Sequence, residues 1–388
     1  MPANSGGRIG VFKRIEQVAK TEKIFLFYPY DNKEELKFVS ELKKYCEEVY
    51  VYNRKSNIIK TFSKLFKYPF TVASRQIAQM QIDIQRCIEE NKIDLINVDF
   101  PHMCVNLLSI STNIPIILNE HNIEWKVYNM ISKSHNNILK KIVYGIDSYR
   151  LKTYEEKMIH DLNISLYTFV SDKDKEYFIT NKNIPEQKCC LIPVGADSHV
   201  IRKNKNVQKG IINIVFVGKM SYAPNIEAVK WFVQKIYQQI KDVIKDCKLY
   251  IVGKEPTQEV INLHSDDIIV TGCVESVESY YNMADIVVLP LLSGGGVKVK
   301  LLEAISYKKN IISTSIGVEG TIYADGKTIP ICDDPTSFAQ ECIKCILNKE
   351  EYTNRLEQAF LIYKQNYTWK SVGKKYIECM RVLANNEK

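Results

Sequence analysis

The chain has 388 residues, 45% of them hydrophobic and 25% charged, a composition that supports two cores of ordinary size and excludes global disorder. Its net charge of +8 is shared between the two halves and does not point to a nucleic-acid partner. The eleven cysteines follow no disulfide spacing and no secretory leader precedes them, so a reduced, cytoplasmic setting is expected. The lone pair Cys342 and Cys345 reads as incidental helix cysteines rather than a metal or redox site. The longest uncharged stretch, Phe100 to Asn119, is broken by Pro101 and Pro115 and reads as strand, loop and short helix, not as a membrane span.

In chain order, the sequence opens on Met1-Pro2-Ala3-Asn4-Ser5-Gly6-Gly7-Arg8, a glycine-rich turn, and residues Ile9 to Ala19 read as the first helix. A Rossmann half normally places a strand before such a turn, and that strand is central to its sheet. Its absence predicts an unpaired slot with exposed edges. Either the true start lies upstream or the chain is truncated; alternatively Met1 is the start and Lys23–Tyr28 is the first strand. Further apolar runs follow at Glu48–Tyr52, Asp94–Val98, Ile114–Asn119, Leu166–Val170 and Cys190–Pro193. The second half continues with Ile212–Val217, Lys248–Val252, Asp267–Val270, Ile286–Pro290 and Asn310–Thr314. Short β-branched runs alternating with helical periodicity predict buried parallel strands, hence an α/β, doubly wound fold.

Between Glu48 and Asp83 there is no acidic residue, while Arg54, Lys55, Lys60, Lys64, Lys67 and Arg75 fall inside the gap. Within 54–67, Ile58, Ile59, Phe62, Leu65 and Phe66 interleave with the lysines at nearly helical spacing. That pattern fits an interfacial helix on an anionic membrane surface as well as a solvated amphipathic helix. The polar stretch Ala196–Gly210 interrupts the strand series and marks a boundary between domains 1–200 and 201–388.

The second half carries the chemistry. Phe216-Val217-Gly218-Lys219-Met220-Ser221-Tyr222-Ala223-Pro224-Asn225 reads as strand, glycine turn and helix start, where free N–H groups favour an anion. Then come Ile251-Val252-Gly253, Val270-Thr271-Gly272-Cys273-Val274 and Tyr280-Tyr281-Asn282-Met283-Ala284-Asp285. Gly294-Gly295-Gly296-Val297-Lys298-Val299-Lys300-Leu301-Leu302-Glu303-Ala304 follows, and later Gly317-Val318-Glu319-Gly320. The triple glycine before a helix can turn backbone N–H groups toward a phosphate. Lys300 and Glu303 share one helix face, as an exposed ion pair would too.

In this ordered set the chain resembles the family 4 glycosyltransferases, closely over roughly 210 to 375 and more loosely before. The resemblance implies two Rossmann-like doubly wound parallel-sheet domains facing across a cleft, the GT-B arrangement, with the last helix packing back on the N-terminal domain. It implies transfer, with retention, from a UDP- or GDP-linked sugar to an acceptor hydroxyl in polysaccharide or glycolipid synthesis. The partners would be a nucleotide sugar and a carbohydrate or lipid-linked acceptor, at the inner face of the membrane, and neither a cofactor nor a metal is expected. The donor site would draw on Gly6, Gly7, Gly218, Lys219, Val274, Gly295, Gly296, Val297, Lys300 and Glu303, with Glu303 accepting from the ribose hydroxyls and Lys300 facing the diphosphate. His121, delivered by the strand before it to the carboxyl edge of the sheet, would position sugar or acceptor. Tyr154-Glu155-Glu156, Val170–Asp174 and Ile192–Asp197 also match landmarks, the last two chiefly as helix cap and hinge. Many members carry a glutamate where Gly295 stands here. A nucleotide-sugar 2-epimerase, or a non-catalytic nucleotide-sugar-binding protein, are the alternatives.

Overall fold

The computed structural model describes residues 6–54, 63–134, 137–197 and 210–386. It divides into two compact units, Met1–Pro193 with Val372–Lys388, and Val194–Ser371. The last helix, Trp369–Asn386, begins in one unit and ends in the other.

In the N-terminal unit, helix α1 (Gly6–Val18) starts at the glycine pair itself, so Gly6 and Gly7 form its first turn rather than a preceding loop. Two parallel strands follow, β1 (Phe25–Tyr30) and β2 (Glu48–Asn53). They form a sheet of their own, while β3 (Ile96–Asp99), β4 (Ile116–Glu120), β5 (Ile164–Phe169) and β6 (Cys189–Leu191) make a second parallel sheet in that order. Among the described residues no strand pairs with the second edge of β1 or with the edge of β3 away from β4. The consequence is visible in burial. Every residue of β4 is buried, as an interior parallel strand requires, whereas in β1 only Tyr28 is.

What covers these sheets is helical. Val11 and Ile15 of α1 pack with Tyr28, Leu42, Cys46 and Val49. Short helix α2 (Phe70–Ala73) and helix α3 (Ala78–Glu90) precede β3. After β4 come α4 (Glu124–Ser134) and the long α5 (Ile138–Asp161), whose Leu151, Tyr154 and Met158 join the core of the second sheet. Helix α6 (Asp172–Asn181) is capped by the Ser171 side chain, which accepts from the Asp174 N–H, as its sequence suggested. The expected interfacial helix over 54–67 lies mostly outside the described residues, as do positions 198–209 of the expected linker.

The C-terminal unit holds one five-stranded parallel sheet: β7 (Ile212–Val217), β8 (Cys247–Val252), β9 (Ile268–Gly272), β10 (Ile286–Leu289) and β11 (Asn310–Ser313). Its order is β11-β10-β7-β8-β9, which puts the first strand in the centre. Ile214, Val215 and Phe216 are essentially inaccessible. Helix α7 (Ala223–Trp231), short α8 (Glu278–Met283), α9 (Val299–Ser306), α10 (Pro335–Leu347) and α11 (Lys349–Asn366) flank the sheet, and α12 is the terminal helix already given. Cys342 and Cys345 are buried on α10 in the main core cluster, which accounts for them as packing residues. All eleven strand expectations meet a strand, offset by a residue or two.

Candidate functional site

In the C-terminal unit the site grows from the end of β7. Gly218 donates its N–H to the Val252 carbonyl at 2.9 Å, so the turn stays tied to β8. Gly253 has φ 152°, and a Cβ there would lie 1.7 Å from the Gly218 carbonyl oxygen, which makes glycine obligatory. The turn then delivers Asn225 onto the first part of α7. Its side-chain N–H donates to the Lys219 carbonyl at 2.9 Å, which fixes the amide and leaves Oδ1 to accept from the Lys300 amine at 2.7 Å. A Cβ on Gly218 would sit 2.8 Å from that amine and 2.7 Å from the Asn225 amide. Gly218, Asn225 and Lys300 therefore close one nook, assembled from residues 75 positions apart.

Lys300 also lies 4.2 Å from the centre of the Phe216 ring. Burial pushes its amine down to about 7, with Lys298 acting the same way and Glu303 opposing them. Such an amine has been stripped of water without a full counter-charge, and a bound anion would restore one. One turn on, Glu303 is half-buried and accepts from the Tyr281 hydroxyl at 3.1 Å. Burial and the Glu303 carboxylate raise the Tyr281 phenol well above its ordinary value, so it stays a donor. Stacking of Tyr281 on Tyr307, 4.9 Å between centres, holds it in place.

The triple glycine lies in the loop before α9. Gly294 and Gly296 have φ of 110° and 70° and require glycine-like backbone, whereas a side chain at Gly295 would meet open space. Lys298 at the start of α9 folds back and donates to the Gly294 and Gly296 carbonyls at 3.2 and 2.6 Å, staples the loop, and reaches Glu319 at 3.8 Å. Val297 packs against Gly320, and half-buried Val274 follows Gly272 at the end of β9. Lys219 points elsewhere, pairing with Glu255 at 2.7 Å on the surface.

In the N-terminal unit, β3 and β4 bring Asp99 and His121 to the same carboxyl edge. The two lie 3.1 Å apart, and Arg14 from α1 pairs with the same carboxylate. Burial alone would raise the Asp99 carboxyl; Arg14 and His121 outweigh it and hold it at about 2. An ionised carboxylate only accepts, so His121 Nε2 is the donor and, in the neutral ring, Nδ1 is left as an acceptor. Phe100, with φ 74°, stacks on His121 at 4.4 Å and on buried His102 at 5.3 Å. A positive φ at a bulky residue stores strain beside the site. Gly6 and Gly7 lie at the start of α1, on which Arg14 also sits. A surface cavity lined by Glu16, Lys20, Lys23 and Glu47 opens at the opposite, amino-terminal end of β1 and β2 and contains none of these groups.

Lys300, Glu303 and His121 stand out in the sequence, whereas their fixing partners Tyr281, Arg14 and Asp99 do not. Asn225 was seen only as a helix opener. Each partner is distant in the chain, and only the strand–turn register places Asp99 and His121 at matching strand ends.

Residues 212–348 match the family profile described as "Glycosyl transferases group 1". A protein of Klebsiella pneumoniae described as an uncharacterized 44.6 kDa protein in the cps region is 27% identical over 387 residues, covering 96% of this chain and 95% of that one. Among solved structures, a glycosyltransferase from Rickettsia africae superposes with a TM-score of 0.66 at 15% identity, over 99% of this chain and 96% of that one. The lipopolysaccharide outer core galactosyltransferase WaaB does so at 0.63 and 11%, over 98% and 97%. Anabaena HepE in complex with UDP and glucose gives 0.59 and 12%, over 97% and 96%. These three likenesses establish a shared GT-B architecture.

Proposed function

We propose that this glycosyltransferase, whose residues 212–348 are a group 1 domain on a GT-B fold, moves a sugar from a nucleoside-diphosphate sugar to an acceptor hydroxyl with retention. The observation that carries the reading is the Lys300 amine, held by Asn225 at the Gly218 turn in surroundings that deprive it of solvent. Leaving-group departure builds negative charge on the diphosphate, and a preorganised cation beside a glycine turn is suited to that charge. Glu303, fixed by Tyr281, would accept from the ribose hydroxyls, and the loop Gly294–Val297 would supply backbone N–H groups. His121 Nδ1 would accept from a hydroxyl of the sugar or acceptor. No metal has a role in this scheme.

The wider setting is part of the same proposal. The Klebsiella relative is described by its cps region and WaaB by lipopolysaccharide, and HepE is seen with UDP and glucose. They support a UDP-linked donor and an acceptor in cell-surface polysaccharide or glycolipid synthesis; a GDP-linked donor and a place on the cytoplasmic side of a membrane belong to the proposal alone. The test incubates the purified chain with UDP- and GDP-sugars and a panel of carbohydrate and lipid-linked acceptors. A product carrying the donor's anomeric configuration is expected, and epimerised donor without any acceptor would replace this reading with the epimerase.

A further inference from the structure

Seven of the eleven cysteines are buried and Cys273 is exposed. Two others meet. Cys190 of β6 and Cys379 of α12 are half-buried, and their sulfurs lie 3.1 Å apart although 189 positions separate them in the chain. That is about 1 Å more than a formed S–S bond, so the thiols are in contact and a small turn of either side chain would join them. Both belong to the N-terminal unit: Cys190 near the end of the segment that closes at Pro193, Cys379 in the returning segment that starts at Val372. A bond between them would close a loop holding the whole C-terminal unit, Val194–Ser371.

The surroundings hold the two sulfurs in place. Val18 of α1, Ile192, Val372 and Tyr376 form a small core of their own, and Cys190, Cys379 and Met380 pack against it. A Cβ on Gly373 would sit 2.5 Å from that of Gln17, so α12 lies close against α1. Beyond Cys379, Arg381 pairs with Glu22 at 2.9 Å. The hydrogen shared with Cys379 draws the Cys190 thiol below its ordinary value; burial opposes it, and Lys375 and Lys175 add to it. The same hydrogen bond, with burial, pushes the Cys379 thiol up. Cys190 is therefore the thiolate of the pair, and Cys379 keeps its proton.

We propose that Cys190 and Cys379 are a peroxide-sensitive thiol pair, a modification site at which oxidation joins α12 covalently to β6. The oxidant is hydrogen peroxide. The Cys190 thiolate attacks one peroxide oxygen: an S–O bond forms, the O–O bond breaks, and the hydroxide released takes up the proton that Cys190 had lost. The Cys379 sulfur then attacks the sulfenic sulfur of Cys190. The S–S bond forms, the S–O bond breaks, and the second hydroxide leaves with the Cys379 proton as water. Two thiols lose two electrons and the peroxide gains them. A dithiol reductant reverses the bond by exchange, as is usual for disulfides that form in a reducing compartment. The inference stands apart from the transfer reaction, since neither cysteine belongs to the site described above.

The experiment treats the reduced full chain with hydrogen peroxide, alkylates the remaining thiols and digests it without reductant. Mass spectrometry of the wild type, which needs no variant to fold, finds the Cys190 and Cys379 peptides joined, and dithiothreitol separates them. Closing so long a loop raises Tm by at least about 4 °C, reversibly. Cys190→Ser and Cys379→Ser each lose the link and the shift. Under peroxide, Cys379→Ser also accumulates a sulfenic acid at Cys190 that dimedone captures. Cys273→Ser, at the exposed cysteine, keeps the link. The proposal is overturned if Cys190 and Cys379 both stay open to alkylation at a peroxide level that oxidises Cys273. It is equally overturned if the joined peptides pair other cysteines, or if Cys190→Ser gains the same rise in Tm.

Discussion

The two units solve one architectural problem differently. In the C-terminal unit the first strand, β7, lies mid-sheet, hydrogen-bonded on both sides, and runs directly into the Gly218 turn. In the N-terminal unit β1–β2 and β3–β6 are separate sheets among the described residues, and side chains tie α1 and α12 to β3. Arg14 reaches from α1 to Asp99 at the end of β3, and Tyr376 of α12 donates to Asn97 in the same strand. A site can be made rigid by a backbone ladder or by a buried ion pair, and the second is easier to break.

The largest expected effect follows from that. Arg14→Met leaves Asp99 buried without its main partner, which costs about 3–5 kcal/mol where both groups are largely shielded. Denaturant unfolding followed by limited proteolysis should find the N-terminal unit opening first, with the C-terminal unit intact. Equal loss in both units would refute the contrast. Next in size is Lys300→Ala. Removing one preorganised charge donor typically lowers kcat by about 10²–10³, while Tm should hold or rise, since a poorly solvated amine is gone. A kcat within a factor of about three of wild type would remove Lys300 from the mechanism.

A smaller effect tests the buried acids of the N-terminal unit. Glu120 and Glu155 are buried, and burial pushes both carboxyls up, that of Glu155 to about 8. Folded values above the unfolded ones mean that stability is full below the ordinary carboxylate range and is lost as pH rises through the folded values. Glu155→Gln should therefore raise Tm at about pH 8 and leave it nearly unchanged at about pH 4; the reverse order would show that the folded state prefers the carboxylate. Smallest of all is Gly295→Glu, which restores the carboxylate many similar enzymes carry. Open space around that position predicts a stability change within about 0.5 kcal/mol. A loss of several kcal/mol would mean that the loop is closed more tightly than its geometry indicates.

The architecture was legible in the sequence because each strand is a short β-branched or aromatic run between helical stretches, and such runs have few other uses. Lys300 and Glu303 were legible because the triple glycine and helix spacing put them on one face. Three things were not. The ion pair Arg14–Asp99 joins residues 85 positions apart, and nothing local marks either as special. Phe100 has a positive φ and stacks on two histidines, and its residue type gives no warning of either. Ile138, Ile142 and Ile146 of α5 are exposed although their spacing is that of a core-facing stripe, so sequence alone cannot separate a face that is covered from one that is bare.

If Gly218, Asn225 and Lys300 hold the donor diphosphate as proposed, binding is linked to a proton. An amine held near 7 is largely neutral at about pH 8, and a bound diphosphate would draw a proton onto it. Calorimetric titration of UDP and GDP near pH 8, in two buffers of different ionisation enthalpy, should show proton uptake with one of them. In Lys300→Ala the uptake should vanish and the affinity fall. Binding of equal strength in both proteins with no proton exchange, or no binding of either nucleotide, would contradict the account.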